Sequence, residues 1–113
     1  LLNKIHKYYL AKTHKCFKKK SGIFENVNSE NKLLKLLFRK INSTKDENFY
    51  LVKLLTGRKH QIRLQFFLND NPIIGDKKFS QDKNQNLLLW ATSIHFYYLN
   101  KFYKFKLNLN QID

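Results

Sequence analysis

Cys16 is the only cysteine in this chain of 113 residues, and methionine is absent altogether. A single thiol excludes an internal disulfide and a cysteine-based zinc site. The histidines, His6, His14, His60 and His95, form neither a His-x-x-x-His nor a His-Glu-x-x-His arrangement, so no metal and no metal chemistry is expected. The missing Met, at position 1 as elsewhere, fits a processed or truncated product. Long apolar runs are missing too. None approaches the roughly eighteen residues of a membrane span, and the Leu1-Leu2 start lacks a secretory apolar region. No membrane partner is expected, and the sequence assigns no compartment; cytoplasmic and organellar settings, mitochondrion or plastid, are both compatible.

Negative charge is scarce. Eight acidic residues stand against 22 basic ones, 19 of them Lys, giving a formal net charge of +14. Such an excess favours polyanionic partners through long-range attraction and counterion release, without choosing between RNA, DNA and an anionic membrane. The densest patch is Lys15-Cys16-Phe17-Lys18-Lys19-Lys20, where Lys18, Lys19 and Lys20 are candidate phosphate contacts. A solvated loop is the competing reading, because thirteen Asn beside the Lys excess indicate a general compositional bias.

Aromatic and apolar residues are plentiful, at 15% and 42%, enough for the packed core of about one domain. Tyr9-Leu10-Ala11 reads as part of an early strand, and the basic segment through Gly22 as a surface turn in which Gly22 relieves a backbone constraint. Leu33, Leu34, Leu36, Leu37 and Ile41 stand at helical spacing within a short segment. Phe49 to Leu55 is a buried strand, broken by Thr56-Gly57. From Gln61 to Leu68 polar and apolar residues alternate, which by periodicity alone predicts a strand. Asn69 to Pro72 is a turn, Gly75-Asp76 begins another, and Ser80 to Asn86 is a polar connection. Ile94–Tyr98 and Phe102–Leu107 form a closing hairpin around Asn100-Lys101. The expected class is α+β, dominated by mixed or antiparallel sheet with short helices, and with no internal repeat or interdomain linker.

Three blocks carry a resemblance: Lys7-x-Tyr9-x-Ala11; Thr56-Gly57-Arg58-x-His60-Gln61-Ile62-Arg63; and Pro72-Ile73-x-Gly75-Asp76, followed by Leu89-Trp90-Ala91 and Phe96. In order and spacing they resemble the later part of the catalytic domain of RluA-type pseudouridine synthases, which isomerise uridine within RNA. Residues 1–113 are expected to form a partial domain of that type. Two positions depart from the pattern: Lys59 stands in the usual Thr place and Trp90 where the family commonly has His. The resemblance implies that Gln61 opens a short helix, against the local alternation, placing His60, Arg63 and Phe67 along one side. It implies RNA as partner, with ribosomal or transfer RNA expected, and no cofactor.

It also implies roles. Tyr9 would pack beneath a flipped uracil, with Tyr8 on the other side of the strand. Arg63 would clamp the family's catalytic carboxylate; the structural alternative is an ordinary ion pair with Asp76 or Asp70. Arg58 would position RNA or brace its loop. Gly57, His60, Gln61, Gly75 and Asp76 are structural parts of the motif, Gln61 satisfying buried backbone groups. The pattern His-Arg-Leu-Asp, followed by Thr-Ser-Gly, would supply the nucleophile, and it does not occur in these 113 residues. The isolated chain is therefore expected to be inactive. Alternatives are a catalytically dead RNA-binding or ribosome-associated protein, and a basic interaction domain with Trp90 and Tyr97 in an exposed patch.

Overall fold

The computed structural model describes residues 5–82 and 86–106. Six strands, β1 (Ile5–Thr13), β2 (Ser21–Val27), β3 (Leu33–Ser43), β4 (Asn48–Leu54), β5 (Leu89–Tyr98) and β6 (Lys101–Lys106), form one sheet in the order β2-β3-β4-β1-β5-β6. Every pairing is antiparallel. One helix, α1 (Gln61–Leu68), lies on one face of it, which gives the expected α+β class. Among the described residues no helix is long and apolar enough to cross a membrane.

The leucine-rich segment is strand β3. Leu34, Leu36 and Phe38 are buried while Leu33 and Leu37 are exposed, so alternation and not helical spacing decides which side chains face the core. The core joins these residues to Ala11, Tyr50 and Val52 of the central strands and to Ile62 and Phe66 of α1. Phe66 is fully buried, a placement that contributes about 2–3 kcal/mol.

The loop between β1 and β2 is basic on its surface but aromatic at its root. Phe17 meets the rings of Phe24, Phe38, Tyr50 and Phe66 at centroid separations of 4.7, 4.8, 4.9 and 5.1 Å. Its backbone N–H donates to the Tyr50 hydroxyl at 3.0 Å. Burial pushes the Tyr50 phenol above its ordinary pKa, opposed by that N–H. Gly22 is not in this turn: it lies within β2, without positive φ, so the backbone constraint expected of it is absent and its smallness serves space instead.

Helix α1 starts at His60, in the left-handed conformation with φ 57°, and carries no side-chain cap. It ends in a Schellman arrangement. Asn71 N–H donates to the Phe66 carbonyl and Asp70 N–H to that of Phe67, with Asp70 at φ 61°. Pro72 then prevents continuation. The closing hairpin turns at Leu99 and Asn100, both at positive φ, one residue earlier than the sequence suggests; Lys101 already belongs to β6. Leu107 and Asp113 lie outside the described residues, as does the side chain of Tyr97.

Candidate functional site

β1 presents Tyr9 and Tyr8 to opposite faces of the sheet. Tyr9 packs against the core that α1 covers. The ring of Tyr8 lies on the far face, 5.4 Å from that of His95 and 5.8 Å from Lys53 Nζ. A bulge in β5 sits beside them: Tyr8 pairs with Ser93 and Tyr9 with Ala91, leaving Thr92 over, and its hydroxyl donates to the Tyr8 carbonyl at 3.0 Å.

Tyr9 and Arg63 line one open cleft of about 290 Å³ with Leu54, Arg58, His60 and Leu89. Its floor is apolar, from Leu54, Leu89 and the Tyr9 ring, and its rim is basic. Arg63 comes from the first turn of α1, four-fifths buried, and its guanidinium is anchored by Asp76. Nη2 and Nε donate to Asp76 Oδ1 at 2.8 and 3.3 Å. The backbone N–H groups of Lys78 and Phe79 donate to the same oxygen. Asp76 is fully buried, and its Oδ2 has no hydrogen-bond partner among the described residues. The Arg63–Asp76 pair is the structural alternative anticipated for Arg63; Asp70 instead meets Lys15 at 3.4 Å.

Gln61 is consumed by structure. Its Oε1 accepts from Thr56 Oγ1 and Arg58 N–H, while its Nε2 donates to the Lys35 carbonyl and to Gln65 Oε1. Gln65, which the sequence reading passed over, is fully buried and donates towards Phe24, Leu34 and Asn26. These two amides, at i and i+4, close off backbone carbonyls in the middle of β2 and at the start of β3 and seat the helix.

His60 is exposed. Desolvation and the charges of Arg63, Lys59 and Lys78 hold its imidazole below the ordinary histidine pKa, with Asp76 pulling the other way. Gly75 is sterically required. It has φ +82°, and a Cβ there would collide with the Asn86 carbonyl. At Gly57 a Cβ would meet nothing within 4 Å, so no contact of the described fold explains that glycine. Lys18, Lys19 and Lys20 are exposed and away from the cleft; Lys18 and Lys19 line a second cavity with Phe17 and Phe24, whereas Lys20 does not. No cluster of His, Cys, Asp or Glu that could hold a metal occurs among the described residues.

Residues 2–67, more than half of the chain, match the family described as RNA pseudouridylate synthase. The chain belongs to that family. An uncharacterised RNA pseudouridine synthase of Haemophilus influenzae is 29% identical over 114 residues, which take in 88% of this chain and 51% of that protein. A ribosomal large subunit pseudouridine synthase C of Rickettsia bellii is 37% identical over 60 residues, 51% of this chain and 20% of its own length. Human RNA pseudouridylate synthase domain containing 4 superposes with a TM-score of 0.82 at 19% identity, over 95% of this chain and 59% of its own. At that identity the superposition shows the shared fold. This family member thus spans about half the length of the Haemophilus relative.

Proposed function

We propose that this chain is a partial RluA-type domain, residues 1–113, forming the Tyr9–Arg63 side of an RNA cleft in which uridine is isomerised to pseudouridine. The observation that carries the reading is the convergence of Tyr9 and Arg63, 54 positions apart in sequence, on one apolar-floored, basic-rimmed cleft. A flipped uracil stacks on the Tyr9 ring, which offers a flat apolar face and a polar tip. Arg58 and His60 at the rim face the phosphates. Isomerisation exchanges the bond from the ribose to a ring nitrogen for one to a ring carbon, with no net oxidation, so the chemistry requires positioning and a nucleophilic carboxylate but no cofactor.

That carboxylate comes from a segment bearing His-Arg-Leu-Asp, which these residues do not contain. Arg63 Nη1 makes no hydrogen bond among the described residues, which leaves it to meet the incoming group while Asp76 fixes the rest of the guanidinium. The test is pseudouridine formation on an RNA transcript. The chain alone is expected to give none, and the chain supplied with the His-Arg-Leu-Asp segment, in one reading frame or as a complementary fragment, is expected to give product. Product from the chain alone, abolished by changing one internal Asp, would overturn the assignment.

A second reading is a catalytically dead RNA-binding or ribosome-associated protein. It is favoured by one observation: Arg63 already has a carboxylate partner in Asp76 and so has a structural role without a nucleophile. Salt-sensitive RNA binding with no product after the missing segment is supplied would select it.

A further inference from the structure

A cavity of about 640 Å³ lies at the opposite end of α1 from the Tyr9 cleft and shares no lining residue with it. Its floor is aromatic. Phe24 and Phe38 stack with centroids 4.4 Å apart and planes 25° from parallel, and Phe17 closes one side. Its rim carries Lys15, Lys18 and Lys19. The one acidic residue there, Asp70, has a side chain 92% exposed and lies 3.4 Å from Lys15 Nζ.

Gly22 makes room for the aromatic ring at the base of this cavity. A Cβ at this position would stand 3.3 Å from Cε1 and Cζ of Phe38, over the ring. Glycine inside a strand weakens it and often marks a place where a ligand approaches closely. With no positive φ to demand glycine, its smallness makes room for the ring of Phe38, its cross-strand partner, beside the cavity that both residues line.

We propose that this cavity takes an unpaired nucleobase of single-stranded RNA, stacked against the half-buried ring of Phe24 with Phe17 closing one side, and with its flanking phosphates on Lys15, Lys18 and Lys19. It rests on the RNA reading above and adds a second binding site to it. An acidic peptide would satisfy the lysines and leave the half-buried rings of Phe17 and Phe24 wet, and an apolar helix would fill the floor and strand the lysines; a nucleotide has both a π face and a phosphate. The eight residues of α1 span about 12 Å, so one short strand reaches both sites.

The test uses the full chain with a short fluorescent oligouridylate and an abasic oligomer of equal length, in a Tyr9→Ala background so that base stacking in the other cleft does not contribute. Oligouridylate is expected to bind about tenfold tighter than the abasic strand, the size of one stacked base. Gly22→Leu, which fills the floor at unchanged charge, is expected to erase that difference while keeping the salt slope. Cys16 is exposed and lines the cavity, so its alkylation by iodoacetamide is expected to slow with oligouridylate and not with the abasic strand. This readout needs no change at Gly22 and decides the matter if Gly22→Leu fails to fold. Equal, salt-sensitive binding of both strands with Cys16 unshielded would remove the cavity site and leave the RNA reading standing. Binding of neither strand would remove both, and polyglutamate binding as tightly as oligouridylate would reassign the surface to an acidic protein partner.

Discussion

Arg63 and Asp76 meet through a single carboxylate oxygen: Nη2 and Nε both donate to Oδ1, at 2.8 and 3.3 Å, while Oδ2 is buried without a partner among the described residues. The pair joins the first turn of α1 to the loop that follows Gly75, so the cleft wall and that loop are held as one piece. Removing the charge from one side strands the other. Asp76→Ala is expected to lower unfolding free energy by about 3–5 kcal/mol, the cost of breaking a buried pair, measured as a drop in the urea midpoint. A loss below about 1 kcal/mol would show that the pair behaves as a surface ion pair.

Tyr9 and Tyr8 differ only in the face they occupy, which makes them a matched comparison. In a version competent for turnover, Tyr9→Phe is expected to slow pseudouridine formation by more than about tenfold, or ~1.4 kcal/mol in barrier, with RNA affinity kept. Tyr8→Phe is expected to leave the rate unchanged. Equal effects would remove the phenolic oxygen of Tyr9 from the chemical step.

The lysine excess predicts binding led by phosphate. RNA affinity should fall steeply with salt, and each of Lys18→Gln, Lys19→Gln and Lys20→Gln should reduce the logarithmic salt slope by at most about 0.7, one phosphate each. Complete loss of affinity from one of them would indicate a specific contact in place of a diffuse one.

His60 supplies a pH signature. Its folded pKa lies below the unfolded value of about 6.5. Between those two values the unfolded chain binds more protons, so the His60 contribution to stability is complete above pH ~6.5 and is lost as pH falls towards the folded pKa. Phosphate brought to the rim by RNA adds negative charge, so the His60 pKa followed by NMR should rise on RNA addition. An unmoved pKa in saturated complex would place the phosphates elsewhere.

Gly75 and Gly57 make a steric contrast within one motif. Gly75→Ala must hold φ +82° and displace the Asn86 carbonyl, so a loss of at least about 1–2 kcal/mol is expected from the backbone alone. Gly57→Ala should stay within about 0.5 kcal/mol in thermal unfolding. If Gly57→Ala nevertheless weakens RNA binding, close approach of the ligand to that backbone is the reason for the glycine.

Part of the sheet was readable from composition. β4 and the closing hairpin follow from aromatic and β-branched runs bounded by turn residues, whereas the one segment read as alternating, Gln61 to Leu68, is α1. α1 was not, because its buried face contains Gln61 and Gln65 beside Ile62 and Phe66, while Phe67 and Leu68 are exposed. Polarity therefore does not report burial there; the amides are inside because Lys35, Phe24 and Leu34 present carbonyls to them. The family motif supplied the helix that hydropathy concealed. Phe17 was hidden for the opposite reason, a core ring within a run of lysines. Its signal was the lone aromatic in Lys15-Cys16-Phe17-Lys18, which marks where a charged loop is pinned. The convergence of Tyr9 and Arg63 was legible only through the motif, since nothing local in either segment refers to the other.

The bulge at Thr92 gives β5 two reading frames. Before it even-numbered Trp90 shares a sheet face with Leu10; after it odd-numbered His95 shares that same face with His6 and Tyr8. Deleting Thr92 would remove the bulge and its bond to the Tyr8 carbonyl while leaving Trp90, Ala91, Ser93 and His95 on their present faces; straightening the strand with Thr92 still in line would turn one half inside out, exchanging what faces α1 with what faces away. Turns at either end absorb a change of length without such an inversion. Thr92 is thus the position at which β5 can lose a residue without inverting its neighbours, and the bulge lets the strand carry that extra residue while Ala91 stays paired with Tyr9 beside the cleft.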